Sequence, residues 1–437
     1  MLPDTPIPSG YRFRLLGVED QRAVTDLDTW AFPVAADPEV LDALPSPLSW
    51  DRVVGVEPDD VDPSDADGHL AAVHASYPFS RFPVPGATLP TAGLTWVGVH
   101  PQHRRRGLAS AMIDLHLARC RERGEPLSAL FAAEYAIYGR FGYGKAADDV
   151  RVTLARGSAL RDVPGADEHT VRVEHADQER HGSVVESVHR AAGQDVGGTG
   201  IDRPGWATRE TPELRAARWA DPAALRHGQE SRRIVVVERD GAPRGYALLR
   251  RSLEWGTTGP RGTVQVAEAV ALDAPAARAL WGVLLDLDLM SETKPFILAP
   301  DDPLLTLLVN PRAADQRRVD NVWIRLVDVP AALAGRRYAA DVDVTVAVTD
   351  TRLPGNDGVW HLRADAFGDA SCQRADVPAS AADLALDVRE LGAAYLGGTS
   401  LAALAAGGLV TERTPGTLAA TSTAFGWPVA PVCGWVF

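Results

Sequence analysis

Residues 94–109 read Leu-Thr-Trp-Val-Gly-Val-His-Pro-Gln-His-Arg-Arg-Arg-Gly-Leu-Ala, and within that stretch an apolar run gives way to a helical pattern. Residues 93–99 are apolar and bounded by glycine and proline, which predicts a buried strand. Residues 106–123 carry Leu108, Met112, Leu115 and Leu117 near helical spacing, and Gly124 stops the helix. A buried strand that feeds an amphipathic helix across one short loop needs a sheet with a helix packed on it, which is an α/β (α+β) layer. The junction also has a chemistry. Arg104, Gly107 and Ala109 stand at i, i+3 and i+5, and the small residues let the backbone approach a ligand closely. The helix start offers unpaired N–H groups and a partial positive charge to a pyrophosphate, and Arg104, Arg105 and Arg106 add charge there. A basic triplet alone is more often a solvated loop or a nucleic-acid patch. Its place between a buried strand and a helix favours a phosphate site. Neither a GxGxxG nor a GxxxxGK[ST] loop occurs.

The rest of the chain supplies the layer around this junction. Strands are predicted at 11–15 and 51–56, with a helix at 20–32 between them. Residues 57–68 form an acidic, Pro-containing loop, and 69–79 form a partner strand that starts at His69. Residues 80–92 read as a Pro/Gly loop. A strand at 127–131, a short helix through Tyr138, a glycine-rich turn at 139–144 and a strand at 149–154 close the unit. After a linker at 155–167, a strand starts at 170. Strands at 232–238 and 246–251 flank an Asp240-Gly241 turn, and a strand at 263–272 leads into a helix at 276–289. This repeats the strand–strand–helix order of the first unit, with residues 269–273 standing where 98–101 stood. A third unit has strands at 322–327, 340–349, 359–364 and 381–386 and helices at 388–395 and 400–406, with a turn at 354–358. The expected units are 1–156, 157–302 and 303–437.

At 437 residues the chain is too long for one core. Its formal net charge of −14 repels phosphate backbones, so nucleic acid is not an expected partner, whereas a cationic molecule is an admissible one. No apolar run reaches the length of a membrane span, and the N-terminus lacks a signal-peptide core. Cys120, Cys372 and Cys433 are isolated, which predicts free thiols, a cytoplasmic location and no metal site.

The strand and the Arg-x-x-Gly-x-Ala junction resemble the GNAT superfamily of acyl-CoA N-acetyltransferases. A second stretch, 133–144, Ala-Glu-Tyr-Ala-Ile-Tyr-Gly-Arg-Phe-Gly-Tyr-Gly, narrows the resemblance to the Eis family of actinobacterial acetyltransferases. It is specific over residues 90–145 and weaker over 384–400. The resemblance implies two tandem GNAT-like domains followed by a sterol-carrier-protein-like domain. It also implies acetyl-CoA as co-substrate, a hexamer, and a primary amine as acceptor, either on an aminoglycoside-like small molecule or on a protein lysine. It places the cofactor on Val97, Gly98, Val99, Arg105, Arg106, Gly107, Leu108, Ala109 and Ser110, with Ala133 and Glu134 near the reactive end. The second repeat has Asp-Ala-Pro-Ala-Ala-Arg at 273–278, without the basic triplet and glycine, so one cofactor site per chain is expected.

Amine acetylation needs a polarised thioester, a deprotonated amine and an acid for the departing thiolate. A phenol suits that thiolate, since its pKa near 10 is close to a thiol's. The Eis resemblance gives this role to Tyr138, with Tyr135 and Tyr143 as weaker alternatives. It gives the role of base to the C-terminal carboxylate, here that of Phe437. The tail from Phe425 onward is apolar to its last residue, so it has reason to pack rather than fray. Asp26, Asp28 and Trp30 fall where family members line the amine pocket, although an ordinary helix face explains them equally well. The competing reading is a non-catalytic acyl-CoA or lipid-binding protein on the same scaffold.

Overall fold

The computed structural model describes residues 2–34, 36–60 and 70–437. His69 and most of the acidic loop lie outside the described residues. Five strands of the first unit are β1 (Tyr11–Leu15), β2 (Val54–Pro58), β3 (Ala72–Val84), β4 (Ala87–Val99) and β5 (Leu127–Phe131). β1 to β4 run antiparallel, and β5 joins β4 in parallel, as a strand returning through the helix Leu108–Glu122 must. The helix Gln21–Ala31 buries Val24 and Leu27 against this sheet.

The loop expected at 80–92 is not a loop. Those residues complete β3 and begin β4, joined at Pro85-Gly86, where Gly86 has φ +66°. Prolines and glycines suggested a break, but the pairing absorbs them with register shifts after Val73 and after Phe79. Phe79, Phe82 and Val84 remain in the core.

The third unit also differs from expectation. The strand Val322–Leu326, assigned to it from the sequence, inserts between β5 and Gly144–Lys145 in the first sheet. All five of its residues are buried, as a strand covered on both faces requires. The closing strand expected at 149–154 is split. Asp148–Arg151 pairs with Arg317–Asp320, and Leu154–Ala155 joins the second sheet beside Met290–Pro295. The units therefore exchange strands across the boundaries near 156 and 303.

The second sheet runs Leu154–Ala155, Met290–Pro295, Gly262–Ala271, Ala242–Ser252, Arg233–Arg239 and Thr170–His175. Asp240 (φ +52°) and Gly241 (φ +75°) make the hairpin turn that the dipeptide predicted. The following helix spans Ala274–Leu284 and stops short of residue 289, because the chain must reverse into Met290–Pro295 through Leu289 at φ +66°. The third unit has a five-stranded sheet with Val342–Thr349 at its centre. Its strands Ala370–Arg374 and Val410–Glu412 and its helix Thr417–Phe425 carried no clear sequence pattern. One apolar core runs through the first and third units, from Leu16 to Phe437, and takes in Ala207 and Leu214 of the second, while residues between Val150 and Ala314 form a separate core around the second sheet. Among the described residues no helix is long and apolar enough to cross a membrane.

Candidate active site

The site grows from a divergence of two parallel strands. β4 and β5 pair only over Thr91–Gly93 and Leu127–Ala129, although β4 continues to Val99. Just past the divergence Trp96 sits at φ +52°, opposite the register shift after Val73. This bulge turns the rest of β4 away from β5 and leaves one edge of Val97–Val99 unpaired. The chain then passes through a short turn at Pro101–His103 and reaches Gly107, the residue that precedes the helix Leu108–Glu122, at φ +85°. Only glycine holds that left-handed conformation without strain. No side chain caps this helix, so its first N–H groups face outward beside Arg104 and Arg105.

A cavity of about 750 Å³ fills the wedge and reaches the helix start. Val97, Gly98, Val99, Arg105, Gly107, Leu108, Ala109, Ser110, Ala133, Glu134, Tyr138 and Trp30 all line it. Arg106 does not. Its guanidinium donates to the Tyr11 hydroxyl at 2.9 Å, and that hydroxyl lies 2.9 Å from His103 Nδ1, so Arg106 fastens the helix start to β1. Asp26 lines a smaller adjoining cavity of about 300 Å³ with Thr25, Thr29 and Asp42, and Trp30 is shared by both. Asp28 lines neither. It is half-buried, and burial pushes its carboxyl up to about 6.

The structure separates the three tyrosines. Tyr135 is 62 % exposed and packs edge-on against Trp323 at 4.9 Å. Tyr143 is fully buried, with its hydroxyl 2.8 Å from Ser128 Oγ. Tyr138 is 8 % exposed and is the one of the three on the cavity wall. Burial, reinforced by the charge of Glu134, pushes its phenol up to about 12, so it stays protonated at neutral pH.

Phe437 does not line the large cavity. Its ring closes the root of the wedge, 4.9 Å from the Phe79 ring and 5.2 Å from that of Phe131. Gly93 is the last β4 residue paired with β5, and a Cβ there would meet Phe79 and lie 3.2 Å from the Phe437 ring. The tail packs on the first unit through the Phe437 ring and is hydrogen-bonded to the second and third. Cys433 N–H donates to Asn321 Oδ1 at 2.8 Å, Trp435 Nε1 to the Ala207 carbonyl at 2.8 Å, and Ala430 N–H to Asp301 at 2.9 Å.

Residues 12–146 and 205–326 match two families described as Acetyltransferase (GNAT) domain, and 329–434 match the Sterol carrier protein domain. An uncharacterized N-acetyltransferase of Streptomyces avermitilis is 40% identical over 353 residues, 80% of this chain and 83% of the relative. The N-acetyltransferase Eis of Mycobacterium tuberculosis is 35% identical over 358 residues, 80% of this chain and 82% of its own length. The crystal structure of Eis1 from Mycobacterium abscessus is similar at a TM-score of 0.76 and 28% identity, covering 98% of this chain and all of that one. The chain belongs to the Eis-type GNAT N-acetyltransferases.

As an Eis-type enzyme it is an acetyltransferase, and its fold implies acetyl-CoA as acyl donor. The residues present suit that ligand: a cleft between strands for the pantetheine arm, and an uncapped helix start beside arginines for the pyrophosphate. The second GNAT unit of this Eis-type chain shows how the same frame can lack that fit. Gly262–Ala271 pairs with Met290–Pro295 in parallel only as far as Val266 and then diverges, as β4 does from β5. Its helix, however, is capped by Asp273, whose carboxylate accepts from Ala276 N–H at 2.8 Å and binds Arg244. Glu268, Asp301 and Asp302 line the cavity of about 430 Å³ beside it.

Several cavity residues were missed by sequence reasoning. Phe32, Ile137, Arg140 and Phe141 flank stretches already singled out, and their proximity could have flagged them. Arg352 lies in the third unit, more than two hundred residues from the motif, with no local signal.

Proposed function

We propose that this enzyme acetylates primary amines of cationic acceptors, aminoglycoside-like small molecules or lysine side chains, with one acetyl-CoA bound per chain between Val97 and Ser110. One observation carries the reading: a single cavity combines diverging strands, an uncapped helix start and a buried phenol that stays protonated. Acetyl-CoA supplies an activated thioester carbonyl. The unpaired edge of Val97–Val99 would offer N–H groups to the carbonyl oxygen as negative charge develops there. The amine, having shed a proton, attacks the carbonyl carbon. The C–N bond forms, the C–S bond breaks, and Tyr138 gives its proton to the departing sulfur. The proton shed before attack passes to solvent, and a second proton, lost by the nitrogen as the amide forms, would re-protonate the phenolate through water or, as the family resemblance implies, through the Phe437 carboxylate. Glu134 beside Tyr138 and Asp26 beside Trp30 set carboxylates on the two adjoining cavities, which suits an ammonium acceptor in a chain of net charge −14.

The assembly is proposed to be a homo-oligomer, a hexamer in keeping with the family resemblance. Trp255, 72 % exposed, together with Leu253, offers apolar surface for it on the second unit. Light scattering that reports a stable monomer at micromolar concentration would remove that part. The catalytic reading is tested by an acceptor screen with acetyl-CoA, read by mass spectrometry across aminoglycosides, polyamines and lysine peptides. A mass gain of one acetyl group on at least one class is expected. Tight acetyl-CoA binding with no amine acetylated would instead support a binding protein on the same scaffold.

A further inference from the structure

We propose that Arg352, delivered by the third unit, is a cofactor-binding residue that reads the 3′-phosphate of coenzyme A. The proposal rests on the acetyl-CoA reading of the cavity. Arg352 lies on the turn after the strand Val342–Thr349 and reaches into the cavity of the first unit. Both of its terminal nitrogens lie 3.2 Å from Ser110 Oγ, and Nη1 pairs with Asp114 at 2.6 Å. Its guanidinium stands over the Phe141 ring, 4.6 Å from the centroid. Arg140, on the same cavity wall, stands 4.8 Å from that centroid. Two guanidinium groups thus share one aromatic ring. Among the described residues only Asp114 balances them, and Arg140 has no carboxylate partner.

The side chain is not needed to anchor its own loop. Asp350 does that: it accepts from Arg325 of the strand Val322–Leu326 at 2.7 Å and from the backbone N–H groups of Arg352 and Leu353 at 3.1 Å. Asn356 braces Asp350 at 3.0 Å and donates to the Leu326 carbonyl. The Arg352–Asp114 pair is part-exposed, and such a pair adds little to stability. The loop is therefore rigid and docked on the first unit, and the guanidinium is presented, already oriented, toward the cavity. The cavity then carries two separate cationic groups. Arg104 and Arg105 precede the helix start, while Arg352 meets the helix at Ser110, within its first turn, with Arg140 beside it over the Phe141 ring. Coenzyme A carries two separate anionic groups, a diphosphate and a phosphate monoester on the ribose. With the diphosphate at the helix start, the second cationic pair matches the monoester, and a guanidinium is suited to it by its planar set of donors.

The test is calorimetric titration of coenzyme A and of 3′-dephospho-coenzyme A into the full chain and two variants. The unaltered protein should bind coenzyme A more tightly than the dephospho form by at least about tenfold, the scale of a charge-assisted hydrogen bond. Arg352→Gln should lose about that factor for coenzyme A and leave the dephospho form unchanged. Asp114→Ala removes the pair but keeps the guanidinium, so coenzyme A binding should be retained or tightened. Equal losses for both nucleotides in Arg352→Gln, or matching losses in Arg352→Gln and Asp114→Ala together with a common fall in melting temperature, would show a purely structural pair and overturn the proposal. If the unaltered protein binds neither nucleotide, the acetyl-CoA reading itself fails and the proposal with it.

Discussion

The two GNAT units share a strand order, a parallel pair that parts half-way, and a helix that begins where the longer strand ends. They differ in what stands at the helix start. Gly107 leaves the first helix uncapped beside arginines, whereas Asp273 fills the second helix start with the protein's own carboxylate. The fold supplies the positive end of a helix in both units. One residue decides whether that end is left uncapped or is already satisfied.

The sharpest way to break the comparison is to make the first unit resemble the second. Gly107→Asp places a side chain at φ +85° and a negative charge where the pyrophosphate is proposed to sit. Acetyl-CoA affinity should fall by more than about a thousandfold, since backbone strain and repulsion act together. Calorimetry that finds binding within tenfold of the unaltered protein would move the phosphate site elsewhere. Next in size is Tyr138→Phe, which removes one hydroxyl from the first unit's wall. Turnover should drop by about 10²–10⁴ with folding and acetyl-CoA binding intact. An unchanged rate, with chemistry rate-limiting, would leave the thiolate to be protonated by water.

Appending residues after Phe437 shifts the terminal carboxylate while keeping every side chain, and should cut turnover by roughly a hundredfold. Phe437→Leu keeps the carboxylate and should cost less. A C-terminally tagged enzyme that is folded and fully active would free the tail from catalysis. A smaller effect is expected at Asp28, whose carboxyl sits at about 6 because burial disfavours its charge. Its ionised form increases as pH rises through that value, so KM for a cationic acceptor should fall over the same range. Asp28→Asn should flatten that pH profile and raise KM severalfold, on the order of 1 kcal/mol. A profile identical in the variant would assign the inflection to another group. The smallest effect belongs to the second unit. Asp273→Ala removes a helix cap and should lower stability by about 1 kcal/mol in denaturant unfolding. Acetylation should not change, and a loss of activity there would mean that the second unit does more than support the first.

The local parts of the site were legible because they depend on neighbours in the chain. The strand Leu127–Phe131, the helix after Gly107 and the Asp240-Gly241 turn all follow from spacing and backbone preference within a few residues. The prolines of β3 and β4 misled the same reasoning, since their cost is absorbed by pairing between strands and not within one. The role of Arg106 was misread for a related reason. Its partner Tyr11 lies ninety-five residues away, and a basic triplet gives no sign of which member turns to the protein.

From its own residues the sequence determined the strand–loop–helix junction, the three units in order, and the difference between Gly107 and Asp273. Those features are set by periodicity, capping and backbone conformation, which act over a few residues. The tertiary structure decided that Val322–Leu326 completes the first sheet, that Phe437 closes the wedge at Gly93, and that Arg352 reaches Ser110. Each joins segments about two hundred residues or more apart. Such pairings are chosen by burial and by satisfaction of hydrogen bonds over the whole molecule, and no local pattern encodes the partner.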